Sequence, residues 1–569
     1  MTNTRLASRG EIWRTARLPG LRAFAPTGTS LEGATLLVSV ACLLLAFLPG
    51  PPFRLEQFDL PKDLALGIAG CVSALLLLEG PVPWQLALDA PLAVCLALGA
   101  VLTLTVATNA AFGWHVVGLF SASALLFMAA RRVGANNGTR FAFPVISGLL
   151  LVVLVVVLFE AFGGIPLMSS PGHRPGATLG NRNLAARVAC LSLPLLWYQL
   201  VLAKRNIAHC IFAVIVASAV AVIVISRSRG AFVVACAQLI AIPMAARWWV
   251  DKPIVPSVRR ASLLWAMAVA IGVTSAVVLP NQLRWSASDL IFSAKRVSDF
   301  RTGSGRGRVI QAETTMRMIG ATGLRGVGPG NWSTWYPGYA APGDPSVRLG
   351  SFYPAPLIPR NDILGFLAEF GLFGFALAVA SIIALLAETA AMIRQPDVSQ
   401  RYLGLLIVAI LIANFLLGLF DSVLRVATTV GLSAIVVGLA LGASAQNISP
   451  LTERRPGSAA IRRLVVLAYA CGALALARGA WQDFAALRII TAAHTVGDMY
   501  RAVSAAPNNI EAQMLLGYVL IGVKRCDLAQ PHLTQVARLE PYSLAVKALQ
   551  KQCPGWSSGF RGGSGSVSE

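Results

Sequence analysis

The sequence predicts an all-α fold: a polytopic membrane helix bundle of about 12–13 transmembrane helices, with one large loop outside the bundle and a soluble helical-repeat tail. Three observations lead there. Only 13% of the residues are charged and 56% are hydrophobic, whereas a soluble domain carries roughly 25% charge. Apolar stretches of the ~17–25 residues that cross hydrocarbon recur over most of the first 480 positions. After them the chain turns polar and acquires a repeat-like spacing of prolines.

Taken in order, residues 1–30 form a basic N-terminus with Arg5, Arg9, Arg14, Arg17 and Arg22 and no cleavable leader pattern. Apolar spans are expected at 33–50, 64–79, 87–106, 113–130, 142–162, 185–203, 207–225, 230–246, 261–280, 363–387, 402–420, 427–445 and 464–480. The run from Ala90 to Ala130 is uncharged and long enough for two helices, with the break at Thr108-Asn109 and Gly113. With the N-terminus in the cytoplasm, alternation places Arg131, Arg132, Arg140, Lys204, Arg205, Arg247, Lys252, Arg259, Arg260, Arg394, Arg401, Arg454, Arg455, Arg462 and Arg463 on that same side. This is the bias toward cytoplasmic basic loops, and it makes the +22 net charge a membrane feature. Nucleic-acid binding is a poor fit, because the charge is scattered among spans and not gathered on one soluble face.

The organisation that follows is a transmembrane domain at 31–445, containing a large outer loop at 281–362; a cytoplasmic loop and last span at 446–480; a helical module at 481–555; and a Gly- and Ser-rich disordered end at 556–569. Pro507 and Pro541 are 34 residues apart, with Ala512, Leu516, Gly517, Tyr518, Gly522 and Ala529 between them. That is the tetratricopeptide period; a helical hairpin without a binding role is the alternative. Cys42, Cys71, Cys95, Cys190, Cys210, Cys236 and Cys471 lie in or beside apolar segments, as small buried hydrophobes, and none has metal spacing. Cys526 and Cys553 lie in the tail and can pair if it is outside the cytoplasm.

Arginines on the outer side run against the charge bias and need a reason. They are Arg182 and Arg187 after Thr178-Leu179-Gly180-Asn181, Arg227 and Arg229 in the turn Ser226–Gly230, Arg301, Arg306 and Arg308 in the long loop, and Arg425 after Asp421. Single arginines there can snorkel to headgroups. As a set they suggest a pocket for an anion, since guanidinium forks match phosphate oxygens. Arg227 and Arg306 are expected to be essential to it.

The long loop holds Ser304-Gly305-Arg306-Gly307-Arg308 before an amphipathic helix at 309–319, then Gly326-Val327-Gly328-Pro329-Gly330-Asn331. It ends in Arg360-Asn361-Asp362, followed by Glu369-Phe370-Gly371. No Lys-Ser or Lys-Thr follows at the spacing of a nucleotide-binding loop. Over roughly residues 30–445 the chain resembles the O-antigen ligase and polymerase superfamily of bacterial inner-membrane glycosyltransferases. The resemblance rests on Thr178–Asn183, Ser226–Gly230, Gly305-Arg306, Gly326–Asn331 and Asn361–Gly371, in that order and on one side. It implies a GT-C-like fold and a metal-independent, inverting transfer of a glycan from a polyprenyl (undecaprenyl) diphosphate, with no cofactor. Arg360, Asn361, Asp362 and Glu369 are then the expected catalytic positions. Arg182, Arg187, Arg227, Arg229, Arg306, Arg308, Asn331 and Arg425 are expected to bind substrate.

The family has His-Asn where this chain has Arg360-Asn361. Arginine is a poor base, with a pKa above ~12. Asp362, Glu369, His173 or His115 could take the role, the proton could pass to the departing phosphate, or activity could be lost. The acceptor is another glycan unit (a polymerase) or lipid A-core (a ligase). A protein hydroxyl and a catalytically inactive scaffold of an export system are the alternatives. Membrane lipids, and protein partners at the repeat-like tail, complete the expected contacts.

Overall fold

The computed structural model describes residues 28–48, 58–80, 84–163, 165, 173–250, 255–283, 303–348, 353–445 and 456–553. Most of the basic N-terminus, Arg301 and the Gly- and Ser-rich end lie outside the described residues. The described chain is helical: α1 (Gly28–Leu45), α2 (Leu60–Leu78), α3 (Leu86–Thr105), α4 (Ala110–Ala135), α5 (Thr139–Phe162), α6 (Arg182–Leu202), α7 (Asn206–Ser226), α8 (Arg229–Ala245) and α9 (Val255–Val278). The long loop contributes α10 (Gly303–Thr322) and α11 (Trp332–Tyr339). Then come α12 (Asp362–Ile393), α13 (Val398–Phe420), α14 (Ala427–Ala445) and α15 (Pro456–Thr491). The tail is α16 (Val496–Ala505), α17 (Ile510–Gly522), α18 (Cys526–Leu539) and α19 (Leu544–Lys551).

Among the described residues, twelve helices are long and apolar enough to cross a membrane, and α1 contributes a shorter apolar segment, Leu31–Leu45. The chain is therefore a polytopic helical membrane protein. Many lipid-facing positions are exposed leucine, isoleucine, valine and phenylalanine, such as Leu75, Leu104, Phe141, Ile207 and Ile383. That outer surface is what a bundle in hydrocarbon presents. α6 is buried from Leu184 to Val201, packed among other helices of the bundle.

Several helices differ in extent from the sequence expectation. The expected 464–480 span is part of the 36-residue α15, because Arg478, Gln482 and Asp483 continue a good helical sequence past the apolar stretch. The chain does break between α3 and α4. Asn109 caps α4 there, its side chain accepting from the backbone N–H of Ala111 and Phe112, two donors the first turn leaves open. α12 is interrupted at Gly371, which sits at φ 65°, ψ −175°. A Cβ at Gly371 would collide with the backbone of Leu324 and Arg325.

The ends of the helices sort into two sets. At one end, Arg131 near the end of α4 pairs with Asp89 at the start of α3 (3.0 Å), and Arg132 pairs with Glu32 of α1. At the other end a web of long-range hydrogen bonds gathers the remaining connections. Lys62 Nζ donates to the Thr178 carbonyl (2.8 Å), and the Thr178 and Thr428 hydroxyls donate to the Leu44 and Leu43 carbonyls. Asn331 bonds the backbone of Asn109 in both directions. The segments read from sequence as outward-facing thus share one end of the bundle.

The tail docks at this same end. α17 and α18 pack on each other and carry a separate apolar core of Ile510, Leu516, Leu520, Leu533 and Val536, joined by Phe112 and Tyr353 from the bundle side. A Cys526–Cys553 disulfide ties the end of the tail to the start of α18. Tyr542 packs edge-on to Trp335 of α11.

Candidate functional site

The glycine-rich segment after α10 is shaped by the break in α12. Val327 N donates to the Ala368 carbonyl (2.9 Å) and Gly328 N to that of Glu369 (3.1 Å). These are carbonyls that a helix loses as partners when it kinks. Gly326, at φ 67°, lies so close that a Cβ would meet the Glu369 and Ala368 carbonyls. Asn331 is fully buried and spent on the Asn109 backbone and the Pro329 carbonyl. Its position is one of scaffolding: it joins the long loop to the α3–α4 connection.

The expected catalytic positions divide in the same way. Asn361 caps α12, accepting from Leu364 N (2.9 Å), and donates to the Leu419 carbonyl (3.1 Å). Asp362 is buried; it accepts from the Ser422 hydroxyl (2.7 Å) and from Val423 N (2.7 Å) and Leu424 N (3.0 Å). It thereby shapes the 421–425 turn. Glu369 is 1% exposed, ion-paired to Arg425, and accepts from Gly330 N (2.8 Å). Arg360 alone is exposed, with its backbone N–H held by Gln311 of α10 (2.9 Å).

The arginines converge on a different set of contacts. Arg308 has Arg187, Arg229, Arg360 and Asp421 around it. Burial first, and then the neighbouring guanidiniums, hold Arg308 below the ordinary arginine pKa, with Asp421 opposing them. Its Nε is buried without a hydrogen-bond partner among the described residues. Arg182 lies within electrostatic range of Arg227. Arg187 is braced by the Asn183 and Ser422 carbonyls and by Asp421 at 3.7 Å.

The backbone under this cluster is arranged for an anion. Arg182 and Arg229 are the first residues of α6 and α8. A helix N-terminus carries a partial positive charge and disfavours a cation, but the two together suit an anion. Arg227 is held in the left-handed region at φ 53°, a conformation that costs a non-glycine residue about 1–2 kcal/mol. The turn between α7 and α8 is therefore held in that shape by its surroundings.

Arg306 is exposed, and it precedes Arg308 by two residues on one helix. Two residues on a helix face different ways, so α10 presents Arg308 to the cluster and not Arg306. Arg425 stands apart as well, taken up by Glu369 and stacked over Phe120 at 5.9 Å.

Residues 212–379 match the family model described as O-antigen ligase. The chain carries an O-antigen ligase domain. That match supports the O-antigen ligase and polymerase type of membrane glycosyltransferase in general. The matched segment runs from α7 through the break in α12, so it contains Arg227, Arg229, Arg308, the glycine-rich segment and Arg360 through Glu369. Arg182, Arg187 and Arg425 lie outside it and join the site through the fold. Comparison with curated proteins finds no match.

Two residues at this end of the bundle were not singled out from sequence. Glu160 is fully buried and accepts from the backbone N–H of Gly176 and Ala177, holding the turn that leads to Arg182. Lys62, 1% exposed, fastens the same turn through Thr178. Each lies at the end of an apolar span, where an ionisable group is costly unless it has a use.

Proposed function

We propose that this chain transfers a glycan from a polyprenyl diphosphate to an acceptor hydroxyl, at the end of the bundle where the arginines converge. The carrying observation is that Arg360, Arg229 and Arg187 all lie within electrostatic range of Arg308, with Asp421 as the carboxylate among them, and that Arg182 lies within range of Arg227. Mutually repelling guanidiniums are stabilised by a dianionic ligand. A diphosphate becomes a good leaving group once its charge is neutralised, and fixed donors do that without reorganising during the reaction. The acceptor oxygen attacks the anomeric carbon from the face opposite the diphosphate. The C–O bond to phosphate breaks, and the configuration inverts.

The site is read as periplasmic, in the bacterial inner membrane. The support is the basic connections at the opposite end, Arg131-Arg132, Lys204-Arg205 and Arg259-Arg260, and a tail disulfide of the kind that oxidising compartments keep. Whether the acceptor is a second glycan chain or lipid A-core distinguishes polymerase from ligase. The repeat-like tail, packed against the site, favours a polymerase working with export partners. The test is a gene deletion complemented with wild type or with Arg308→Ala, with surface glycan resolved on a gel. The expected result is loss of glycan attachment or length in the deletion, restored by wild type alone. Unchanged glycan in the deletion would overturn the reading in favour of an inactive scaffold.

A further inference from the structure

A cavity of about 850 Å³ lies between α2, α4, α15, the long loop and the tail. Its wall carries an imidazole already paired with a carboxylate: His115 Nε2 is 3.0 Å from Asp63 Oδ2. A carboxylate only accepts, so Nε2 carries the proton toward Asp63 and the neutral ring has its lone pair on Nδ1. Arg425 and Gly330 line the same cavity, which sets it against the ion pair that Glu369 makes below the glycine-rich segment. Asp59, also on the wall, is within electrostatic range of both His115 and Arg187. It relates this cavity electrostatically to one member of the arginine cluster.

The remaining wall has the chemistry of a sugar site. Phe112, Trp114 and Tyr353 offer aromatic faces, and Asp483, Asn508 and Glu511 offer hydrogen-bonding groups. A ring of C–H bonds bearing hydroxyls fits such a mixture of apolar surface and convergent polar groups. Asn508 and Glu511 come from the tail, which is fastened here by Asn509 Nδ2 donating to Asp483 Oδ1 at 2.8 Å. The tail therefore supplies part of the cavity wall.

We propose that this cavity holds the acceptor sugar and that His115, oriented by Asp63, is the general base that takes the proton from its attacking hydroxyl. The assignment rests on the glycosyl-transfer reading above. As the acceptor oxygen bonds the anomeric carbon, its proton passes to His115 Nδ1 and the electron pair of the broken bond leaves with the diphosphate. The imidazole takes over a role that Arg360 cannot perform. Asp63 is a positioning residue, since it acts through the ring.

The test uses the full chain in nanodiscs with the lipid-linked oligosaccharide fraction from cells lacking the gene as donor. The same cells' glycan and lipid fractions serve as acceptors, and released polyprenyl diphosphate is followed. His115→Ala is expected to lower kcat by about 10²–10⁴-fold with donor binding unchanged. Asp63→Asn should move the acid limb of the pH profile to lower pH, since it removes the anion that favours the imidazolium. Asp59, Asp483, Glu511, Arg425 and Arg478 also face the cavity and are unchanged in that variant. Gly479, on the wall with open space around it, gives a separate test: Gly479→Trp should raise the acceptor KM at least tenfold and leave donor binding alone. Wild-type kcat in His115→Ala, or a wild-type acceptor KM in Gly479→Trp, would overturn this assignment while the transfer reading stands. Absence of transfer by the wild type removes both.

Discussion

Both ends of the bundle hold buried arginine–carboxylate pairs, but one of them also gathers several arginines around Arg308. At one end Arg131 is 5% exposed and faces Asp89 at 0%, and Arg132 faces Glu32. At the other, Arg425 faces Glu369, while Arg308 has Asp421 together with Arg360, Arg229 and Arg187 within electrostatic range. Along α4, His115 and Arg131 are separated by 16 residues, about 24 Å of helix, so the contrast spans much of one membrane helix. An arginine with its own buried carboxylate fastens helices together. Arginines arranged against one another are held there by the fold at a cost, and an anion relieves that cost.

The contrast predicts how each end fails. The largest effect is expected at the cluster. Arg308→Ala should lower transfer by about 10²–10³-fold, as removal of one preorganised donor does, while the protein still inserts and keeps its detergent melting temperature. A rate within threefold of wild type would take Arg308 out of the site. Next comes the paired end. Asp89→Asn leaves a buried guanidinium without its anion and should cost about 3–5 kcal/mol. It would be read as a lower melting temperature with normal turnover in the folded fraction. If Asp89→Asn abolished transfer at unchanged stability, the division between the two ends would be wrong.

Glu540 gives a third, smaller test of the same rule, applied to a carboxylate. It is 2% exposed and accepts a hydrogen bond from Thr334 of α11. Burial pushes its pKa up to about 7. Because the folded pKa lies above the unfolded one, the docked tail binds the extra proton between about pH 4.5 and 7. Its stability therefore falls as pH rises through that window, by at most about 3 kcal/mol. Protease protection of residues 496–553 should be weaker at pH 8 than at pH 6, and Glu540→Gln should abolish the difference. Arg360→Ala, at an exposed guanidinium, should weaken donor binding only a few-fold, as an exposed pair worth ~0.2–1 kcal/mol implies. Arg306→Ala should be smaller still. A loss at Arg306 as large as that at Arg308 would mean that α10 turns its other face to the substrate.

Much of this architecture was legible in the chain. Apolar length set the spans, and loop charge sorted their ends, because hydrocarbon tolerates neither an unpaired backbone nor a stray charge. The outward arginines of 182–187 and 227–229 were visible as exceptions to that sorting. Within the long loop, sequence could not separate Arg306 from Arg308, since both adjoin glycines and only the helical phase of α10 distinguishes them. Nor could it show that Asn331, Asn361 and Asp362 spend their polar atoms on backbone groups of distant segments.

The sequence by itself therefore determined that this is a many-spanning helical protein with cations gathered beyond one set of helix ends. Those properties follow from transfer free energies summed residue by residue, which need no knowledge of neighbours. Only the tertiary structure decided which arginines face each other and which of the carboxylates are consumed in bracing turns. It also brought the tail onto the wall that carries His115 and Asp63. Each of these depends on distances between residues tens or hundreds of positions apart, and those distances are set by how the helices pack.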